Sequence, residues 1–593
     1  MILQHLNDYY HRKCDDPDPS ERLPAFGLEQ KEIPFILEIT PEGDLVQIAD
    51  TRTLNEKKKK VAQNFRVPQG IKKTSGVAAN LLWDTLEYVL GVDTKGKPER
   101  VVEQHAQYIA RIKALPQSAL DDIGIQAVLK FFEKFDLPQI ELQPAWAEVL
   151  EVNPVVTFRL QGEVDLVCQR PAVVKAALNA ATENSQQSAM CLVTGDNAPV
   201  QRLHTSIKGV WGAQSSGANI VSFNARAFES YGKTELQGEN APVSQASAFA
   251  YTTALNHLLR KDSGQRIQVG DASTVFWAEK PSAFETAIPD IFGESPKEDP
   301  DQGARAVQAL LGAIQSGKLG GEDGANRFHV LGLAPNAARI SIRFYHCLPL
   351  HELGERIDQH FKDLEVARGP YDPQYPSLFR LLTAVVLQGK ADNIPPSLGG
   401  AIVNAIFAGP NVPYPPLWLN VAVGRSRAEQ DVTYLRAAAI KACLNRQIRR
   451  SSVTPLNQPA EKEFLPMLDP SNPSPAYRMG RLFAALEKIQ EEASPGLNAT
   501  IKDRYYGAAS STPVAVFTTL LRLKNSHLKK LSTGRGMWFE KLLGEILATV
   551  SDFPKHLALP DQGRFALGYY HQRQSFFTKK TDDSTPATEG NPS

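Results

Sequence analysis

The sequence predicts an α+β protein, in which a mixed α/β N-terminal body is followed by an all-helical C-terminal bundle. Short runs of alternating apolar residues recur between helical patterns as far as about residue 370. Beyond that point the apolar spacing is helical and the alternation of β-branched residues fades. We therefore assign residues 1–370 to the mixed body, with a possible division near 150, and residues 371–578 to the helical domain.

The N-terminal body opens with a helix over residues 2–13, where apolar residues recur at helical spacing. Phe35, Leu37 and Ile39 alternate and are followed by a turn at 41–44, which predicts a β-hairpin ending at about residue 48. Further helices are predicted at about 77–90, 98–114, 117–135, 171–182, 242–260 and 303–316. Short strands are predicted at 155–160, 189–194, 219–223, 273–278 and 339–346.

The helical domain has recognisable helix boundaries near its end. Thr512-Pro513 is typical of an N-cap followed by a first-turn proline, and the helix that it opens extends to about residue 531. Residues 476–493 and 537–551 repeat the apolar helical spacing. Residues 579–593 contain no apolar side chain larger than alanine, which predicts a disordered tail.

The net charge of the chain is zero, but the charges are unevenly distributed. The sequence has 65 basic and 65 acidic residues, which excludes a uniformly basic nucleic-acid coat protein. Residues 436–580, however, hold 22 Lys and Arg against 11 Asp and Glu. Such a basic region is typical of a surface that binds phosphate, and a solvated helix surface explains the excess equally well.

Cysteine usage and hydropathy predict a soluble, cytoplasmic protein without a membrane partner. The five cysteines are widely spaced and form no C-x-x-C pair, which fits free thiols in a reducing compartment. The N-terminus is polar too early for a signal peptide, and no run approaches the ~18 apolar residues of a membrane helix.

The local motifs of known enzymes are incomplete in this sequence. Residues 232–234, GKT, resemble the end of a P-loop, but Ala227 stands where that loop needs glycine. The acidic residues at 290–297 fall in a proline-broken loop, and Cys191 and His204 lack a second pair of metal ligands. We therefore predict no catalytic residue, metal or cofactor. A metal-dependent nuclease or hydrolase with a site assembled from distant residues is the alternative.

Residues 205–244 have the most unusual composition, because glycine and amide-bearing residues are dense there and are interleaved with basic and aromatic ones. Such a segment combines close backbone approach, bidentate amides and phosphate neutralisation. Those are the means by which proteins read a DNA groove and hold its backbone. A long glycine-rich connection around a buried strand at 219–223 explains the same composition.

The same region resembles a known family. Residues 191–244, which begin CLVTGDNAPV and include GVWGAQSSGANIVSFNARAFESYGK, are similar to the Csd1 family. Further agreement is found in MILQHLNDYY at the start, IKKTSGVAANLLWDTLEYVLG at 71–91, LGLAPNAARISIRFY at 331–345, AYRMGRLFAALEKIQ at 476–490 and FALGYYHQRQSFF at 565–577. The resemblance covers nearly the whole chain.

Csd1 proteins are large subunits of the type I-C CRISPR Cascade complex, an RNA-guided antiviral defence. The resemblance implies a non-catalytic subunit that recognises the protospacer-adjacent motif, helps to open the duplex into an R-loop, holds the displaced strand and docks the helicase-nuclease. It implies as partners the guide RNA, the Cascade backbone and guide-end subunits, and target DNA as double and single strand. It also implies a small subunit made from the same gene, to which the helical region from about 467 is similar.

Two sets of residues are predicted to contact DNA. The set for the motif-bearing duplex combines amides and hydroxyls with lysines and consists of Gln214, Ser215, Ser216, Asn224, Asn240, Lys208, Lys233, Lys72 and Lys73. The set for the displaced strand lies in the basic helical region and consists of Arg522, Lys524, Lys529, Lys530 and Arg535.

The resemblance also implies an internal start of translation, because the small subunit of this family is commonly an internal product of the large-subunit gene. Met467 and Met479 precede or open the helix at 476–493. Products starting there would have 127 or 115 residues.

Overall fold

The computed structural model describes residues 2–18, 21–54, 59–71, 76–183, 188–223, 225–233, 237–294, 299, 301–453, 461–548 and 550–577. The chain divides into two compact units. Unit 1 comprises Met1–Ile207 and Val221–His257, and unit 2 comprises Lys208–Ile220 and Leu258–Ser593. A short segment from the first half of the chain therefore packs with the second half.

Unit 1 is built from short strands and helices. Its helices are α1 (Ile2–Cys14), α2 (Leu86–Val89), α3 (Pro98–Lys113), α4 (Gln117–Leu120), α5 (Ile123–Glu133), α6 (Leu137–Glu141), α7 (Trp146–Val152), α8 (Pro171–Glu183) and α9 (Gln245–Leu258). Its strands are β1 (Leu28–Glu32), β2 (Phe35–Ile39), β3 (Leu45–Asp50), β4 (Thr53–Leu54), β5 (Lys60–Val61), β6 (Asn64–Pro68), β7 (Trp83–Thr85), β8 (Val155–Leu160), β9 (Ser188–Met190) and β10 (Asn197–Pro199).

A four-stranded sheet of order β3-β2-β8-β7 forms the centre of unit 1. The hairpin strands β2 and β3 are antiparallel, whereas β2 and β8 are parallel. Strand β2 is buried along its whole length, which suits its apolar sequence FILEI. On this sheet the Phe131 ring of α5 packs edge-on against Phe158 of β8, with ring centroids 5.4 Å apart.

Unit 2 begins with a sheet and continues as helices. Its strands are β11 (Arg266–Val269), β12 (Ala272–Ala278), β13 (Arg327–Asn336) and β14 (Arg339–Pro349). Its helices are α10 (Phe284–Phe292), α11 (Gln302–Gln315), α12 (Glu322–Ala325), α13 (Leu350–Leu364), α14 (Leu378–Ala384), α15 (Leu398–Ala408), α16 (Pro416–Ala428), α17 (Tyr434–Val453), α18 (Pro475–Ala493), α19 (Ile501–Ala509), α20 (Pro513–Leu528), α21 (Thr533–Leu547) and α22 (Leu559–Ser575).

The sheet of unit 2 is antiparallel throughout, in the order β11-β12-β13-β14. Strand β12 is fully buried and β14 lies at the edge. The helices that follow share one apolar core with this sheet. In the last part of the chain, α18 and α22 pack closely against each other, and Ser474 Oγ caps α18 by accepting from Tyr477 N at 3.4 Å.

The predicted α+β class is confirmed, with sheets in the N-terminal half and helices at the C-terminus. The predicted hairpin and the strands at 155–160, 273–278 and 339–346 are present. Two predictions are wrong in extent, because residues 117–135 form two helices, α4 and α5, and the strand predicted at 189–194 ends at Met190. Two other predicted elements are wrong in type. Residues 77–90 contain strand β7 and the short helix α2 instead of one helix, and residues 219–223 form a single β-bridge, between Asn219 and Arg339, instead of a strand.

The predicted domain boundaries at 150, 370 and 467 stay predictions, because the compact units describe packing and not independent folding. The tail predicted to be disordered lies outside the described residues. In the part of the chain that the structure describes, every helix is too short or too polar to cross a lipid bilayer.

Candidate nucleic-acid interface

Residues 208–220 form a loop that is fastened to the sheet of unit 2 at two points. Trp211 N donates to Ser273 Oγ at 3.0 Å, and Ile340 N donates to Asn219 O at 3.0 Å. Gly209 has a φ of +85°, and a Cβ there would lie 2.5 Å from the carbonyl oxygen of Leu259. This position therefore requires glycine, which explains part of the glycine-rich composition.

The tip of this loop presents the side chains that were predicted to read base edges. Gln214, Ser215 and Ser216 are exposed, in a turn closed by a 2.9 Å hydrogen bond from Gly217 N to Gln214 O. Trp211 is also 64% exposed, although its backbone is anchored to the sheet. The structure thus brings Gln214, Ser215 and Ser216 together with the exposed Lys208 on one loop of unit 2.

Lys233 and Asn240 belong instead to unit 1, where they close a loop of their own. The Asn240 side chain donates to Lys233 O at 3.1 Å and accepts from Ser230 N and Oγ at 3.2 and 2.9 Å. Lys233 Nζ donates to Glu239 O at 3.3 Å. The Asn240 amide is therefore engaged in holding the loop, and the neighbouring Tyr231 is 95% exposed. Asn224 lies outside the described residues.

Lys72 and Lys73 also lie outside the described residues, but the chain on both sides of them is anchored. Ile71 N donates to Asn80 Oδ1 at 3.0 Å, and Trp83 Nε1 donates to Pro68 O at 2.8 Å. These long-range bonds explain why residues 77–90 are not one helix. The side chains of Asn80 and Trp83 bond to the segment around residue 70, and the backbone of residues 83–85 pairs with β8.

The cations predicted to hold the displaced strand lie on α20, on α21 and in the connection between them; they are Arg522, Lys524, Lys529, Lys530 and Arg535. Arg522 and Lys529 are exposed and form no ion pair with the described residues. Lys530 Nζ donates to Ser494 Oγ at 3.4 Å. These three side chains can meet a phosphate without breaking an ion pair.

The other two cations are paired with carboxylates of the same unit. Lys524 Nζ lies 2.9 Å from Glu540 Oε1, and Arg535 forms a bidentate pair with Glu492 at 2.7 and 2.8 Å. The Arg535 guanidinium also lies 4.3 Å from the centroid of the Trp538 ring. Lys524 and Arg535 must therefore exchange a carboxylate for a phosphate before they can hold a strand.

The sequence analysis missed the exposed apolar residues beside these cations. Met537 is 68% exposed and Trp538 is 41% exposed on α21, next to Arg535. An aromatic ring beside a cation is suited to stacking an unpaired base. The sequence run Arg535-Gly536-Met537-Trp538-Phe539 already indicates an exposed apolar side chain. Three adjacent large apolar residues cannot all face the same side of a helix, so at least one of them must face solvent or a partner.

Cys191 is a buried thiol, and His204 is a buried histidine with a hydrogen bond. His204 Nδ1 lies 2.7 Å from Tyr251 OH. Cys191 Sγ accepts from Ser244 N at 3.3 Å. Burial alone would raise the pKa of the Cys191 thiol, but hydrogen bonds with Ser244, Thr194 and Ser247 together outweigh it and bring the pKa to about 6. Within the described residues, no group of three or more His, Cys, Asp or Glu side chains could hold a metal ion.

Comparison with protein families gives a match over nearly the whole chain. The family model of the CRISPR-associated protein Csd1 matches residues 6–577, a range that includes both compact units and the loops described above. No curated protein sequence matches the chain. A match over this length shows the family to which the sequence segments pointed, and the chain belongs to the Csd1 family of CRISPR-associated proteins.

Proposed function

We propose that this protein is the large subunit of a type I-C CRISPR Cascade complex and a non-catalytic reader of the protospacer-adjacent motif. Membership of the Csd1 family over residues 6–577 is the observation that carries the proposal. In RNA-guided complexes the guide supplies sequence specificity by base pairing, so the protein needs to read only the short adjacent motif and the strand backbones. It then opens the duplex, holds the displaced strand and docks the helicase-nuclease.

The loop at 208–220 supports motif recognition by this protein. A sheet that anchors both ends of an exposed loop positions side chains well, as base readout requires. Gln214, Ser215 and Ser216 form no side-chain hydrogen bond with the described residues, so their polar groups are available to a partner. Lys72 and Lys73 would bind the duplex backbone, and the cations near Trp538 would bind the displaced strand.

Replacing Gln214 tests the motif reader directly. An amide that makes a bidentate contact to a base edge contributes about 1–3 kcal/mol of discrimination. Gln214→Ala should therefore relax motif preference about tenfold or more in a binding assay across a library of motif duplexes. Gln126→Ala removes another exposed glutamine, on α5, and should leave the preference profile unchanged. A Gln214→Ala profile identical to that of the parent protein would remove this residue from the interface.

The proposed complex and the alternative enzyme can be separated with purified components. Expressed with its neighbouring subunits, the protein should co-purify with guide RNA and several copies of a backbone subunit. The isolated chain should leave labelled single- and double-stranded DNA intact in the presence of divalent cations. A DNA-cleaving activity that co-purifies with the chain and is abolished by a chelator would favour the metal-dependent nuclease.

We propose further that the C-terminal bundle is also made as a separate small subunit. Met467 is exposed, whereas Met479 is buried within α18. A start at Met479 would remove Tyr477, whose hydroxyl lies 2.9 Å from His571 Nδ1 of α22. The Met467 start keeps this contact and the Ser474 cap, which supports it over Met479.

The internal product is testable by mass spectrometry of the expressed gene. The chain averages about 110 Da per residue, so a start at Met467 should give a C-terminal fragment of roughly 14 kDa and a start at Met479 one of roughly 13 kDa. Silent changes in the ribosome-binding sequence upstream of Met467 should abolish the fragment and spare the full-length chain. A fragment that survives these changes would be a product of proteolysis.

A further inference from the structure

Unit 1 contains a cleft that no part of the sequence analysis anticipated. Its volume is about 850 Å³, and it lies between the helices α3 and α8, the end of β6 and the start of α9. A second cleft of about 450 Å³ continues it, and the two share Gln69, Gly70, Ile71, Gln201 and Thr205. Together they form one concave track on a single compact unit.

Small residues create the space between the two helices. Ala110 of α3 and Ala114, which caps the end of α3, stand one turn apart, and Ala176, Ala177 and Ala180 line the cleft from α8. Side chains of this size leave a slot between helices that larger apolar residues would fill. The rings of Phe26 and Phe249, which are 5.5 Å apart at their centroids, complete the wall.

The polar side chains that line the cleft include four glutamines, of which Gln201 donates to Leu203 O at 2.7 Å, and one cation. Gln69, Gln107 and Gln245 line it and make no side-chain hydrogen bond with the described residues. Arg111 is the only charged residue among the described lining residues of the larger cleft. Its Nη1 donates to Ala79 O, and its other N–H groups have no partner in the described part of the chain. The larger cleft therefore offers hydrogen-bond donors and acceptors together with the positive charge of Arg111, which the Asp84 carboxylate of the second cleft partly opposes.

We propose that this cleft binds an unpaired nucleotide of a single nucleic-acid strand. Amides match the donor and acceptor pattern of base edges, aromatic and alanine walls suit a planar base, and Arg111 suits a phosphate. A base within a duplex is stacked and cannot enter a concave slot, whereas an unpaired base can. A free nucleoside triphosphate carries several negative charges and would need more than one cation, but a strand carries one charge per nucleotide.

The second cleft continues the groove beyond the bound base, but its charges do not favour a phosphate. Lys31 lines it together with the carboxylates of Glu29 and Asp84, and the Lys31 ammonium lies 5.2 Å from the centroid of the buried Trp83 ring. The phosphate contact is therefore assigned to Arg111 in the larger cleft. The assignment is independent of motif reading, because Gln214 and its loop belong to unit 2.

The test measures binding of labelled single strands to the full-length protein by fluorescence anisotropy. Mixed-sequence DNA and RNA oligonucleotides of about 12 nucleotides serve as probes, with a DNA duplex as a comparison. Ala110→Phe, which fills the slot from an exposed position, should weaken single-strand binding about tenfold or more. Ala106→Phe, at an exposed alanine one turn earlier on α3 that does not line the cleft, should change it less than about twofold.

A polar pair of variants repeats the test without adding bulk. Gln107→Ala should weaken binding of the same probes, whereas Gln104→Ala, on the same helix and outside the cleft, should not. The stronger of the DNA and RNA responses identifies which strand is bound. Equal effects of the cleft and control variants, or an effect confined to the duplex probe, would overturn the proposal. If Gln214→Ala changes the motif preference while the cleft variants bind single strands as the parent protein does, motif recognition by the 208–220 loop is supported and the cleft proposal is rejected.

Discussion

Substituting alanine for Gly480 should disrupt the packing of α18 against α22, because the α22 backbone lies directly against this glycine. A Cβ at Gly480 would overlap the carbonyl oxygen of Phe565 and lie 2.7 Å from Tyr569 N. A Cβ at Gly568 of α22 would likewise overlap the carbonyl oxygen of Tyr477. Backbone atoms cannot turn aside as a side chain can, so the helices must separate and lose their shared contacts.

We expect Gly480→Ala to lower the free energy of unfolding of this bundle by about 3 kcal/mol or more. Hydrogen exchange of peptides from α18 and α22, read by mass spectrometry, should show faster exchange in both helices. Gly544→Ala is the matched control, because this exposed glycine of α21 has no atom within 4 Å of an added Cβ. Alanine there should be neutral or stabilise the helix by up to about 1 kcal/mol. Unchanged protection in Gly480→Ala would contradict the close crossing.

Removing the carboxylate of Asp363 should lower the free energy of unfolding by a similar amount, because two arginines are hydrogen-bonded to it. Asp363 is buried on α13, and its oxygens accept from Arg446 Nε at 2.9 Å and from Arg449 Nη2 at 2.8 Å. Arg446 is itself fully buried, so Asp363→Ala leaves its charge in the core of unit 2 with backbone carbonyls but without the carboxylate that neutralises it. Breaking a buried pair in this way costs about 3–5 kcal/mol.

Asp358→Ala on the same helix is the control for this prediction. Asp358 pairs with the exposed Lys362 at 2.6 Å, and surface pairs of this kind contribute only about 0–1 kcal/mol. Urea titrations followed by circular dichroism should separate the two variants clearly. Equal midpoints would show that the buried pair contributes no more than the surface pair.

The same region should make stability depend on pH. Burial alone would raise the pKa of Asp363, but the hydrogen bonds from Arg449 and Arg446 outweigh it and hold the pKa below its usual value. Burial also lowers the pKa of the neighbouring His360 to about 3. Both groups bind protons more readily in the unfolded chain, so their contribution to the free energy of unfolding is fully present at neutral pH. It falls as the pH drops below about 6.5, first through His360 and then through Asp363.

Local patterns explain which elements were predicted correctly. The hairpin of β2 and β3 follows from alternation and a turn within about fifteen residues, and α20 follows from Thr512-Pro513 and its apolar spacing. These signals lie in neighbouring residues, so a sequence displays them directly. The segments that identified the Csd1 family are also contiguous, and the family match over residues 6–577 confirms that identification.

The predictions for residues 77–90 and 219–223 are wrong because contacts with distant residues outweigh the local pattern. Residues 77–90 have a helical pattern, but Asn80 and Trp83 are bonded to Ile71 and Pro68, and β7 pairs with β8 about seventy residues later. The run at 219–223 has strand-like composition, but only Asn219 meets a strand, at the edge of the sheet in unit 2. Long-range partners decided both outcomes, and local propensity is weak enough to be overridden by them.

The sequence by itself determined the fold class, the family and the basic character of the C-terminal region, because each is carried by neighbouring residues or by composition. Only the tertiary structure decided that Gln214 and Asn240 belong to different compact units and that the Asn240 amide closes a loop. It alone formed the cleft beside Arg111, whose walls come from residues as far apart as Phe26 and Phe249. A cavity or a buried ion pair depends on contacts between distant segments, and those contacts exist only after the chain has folded.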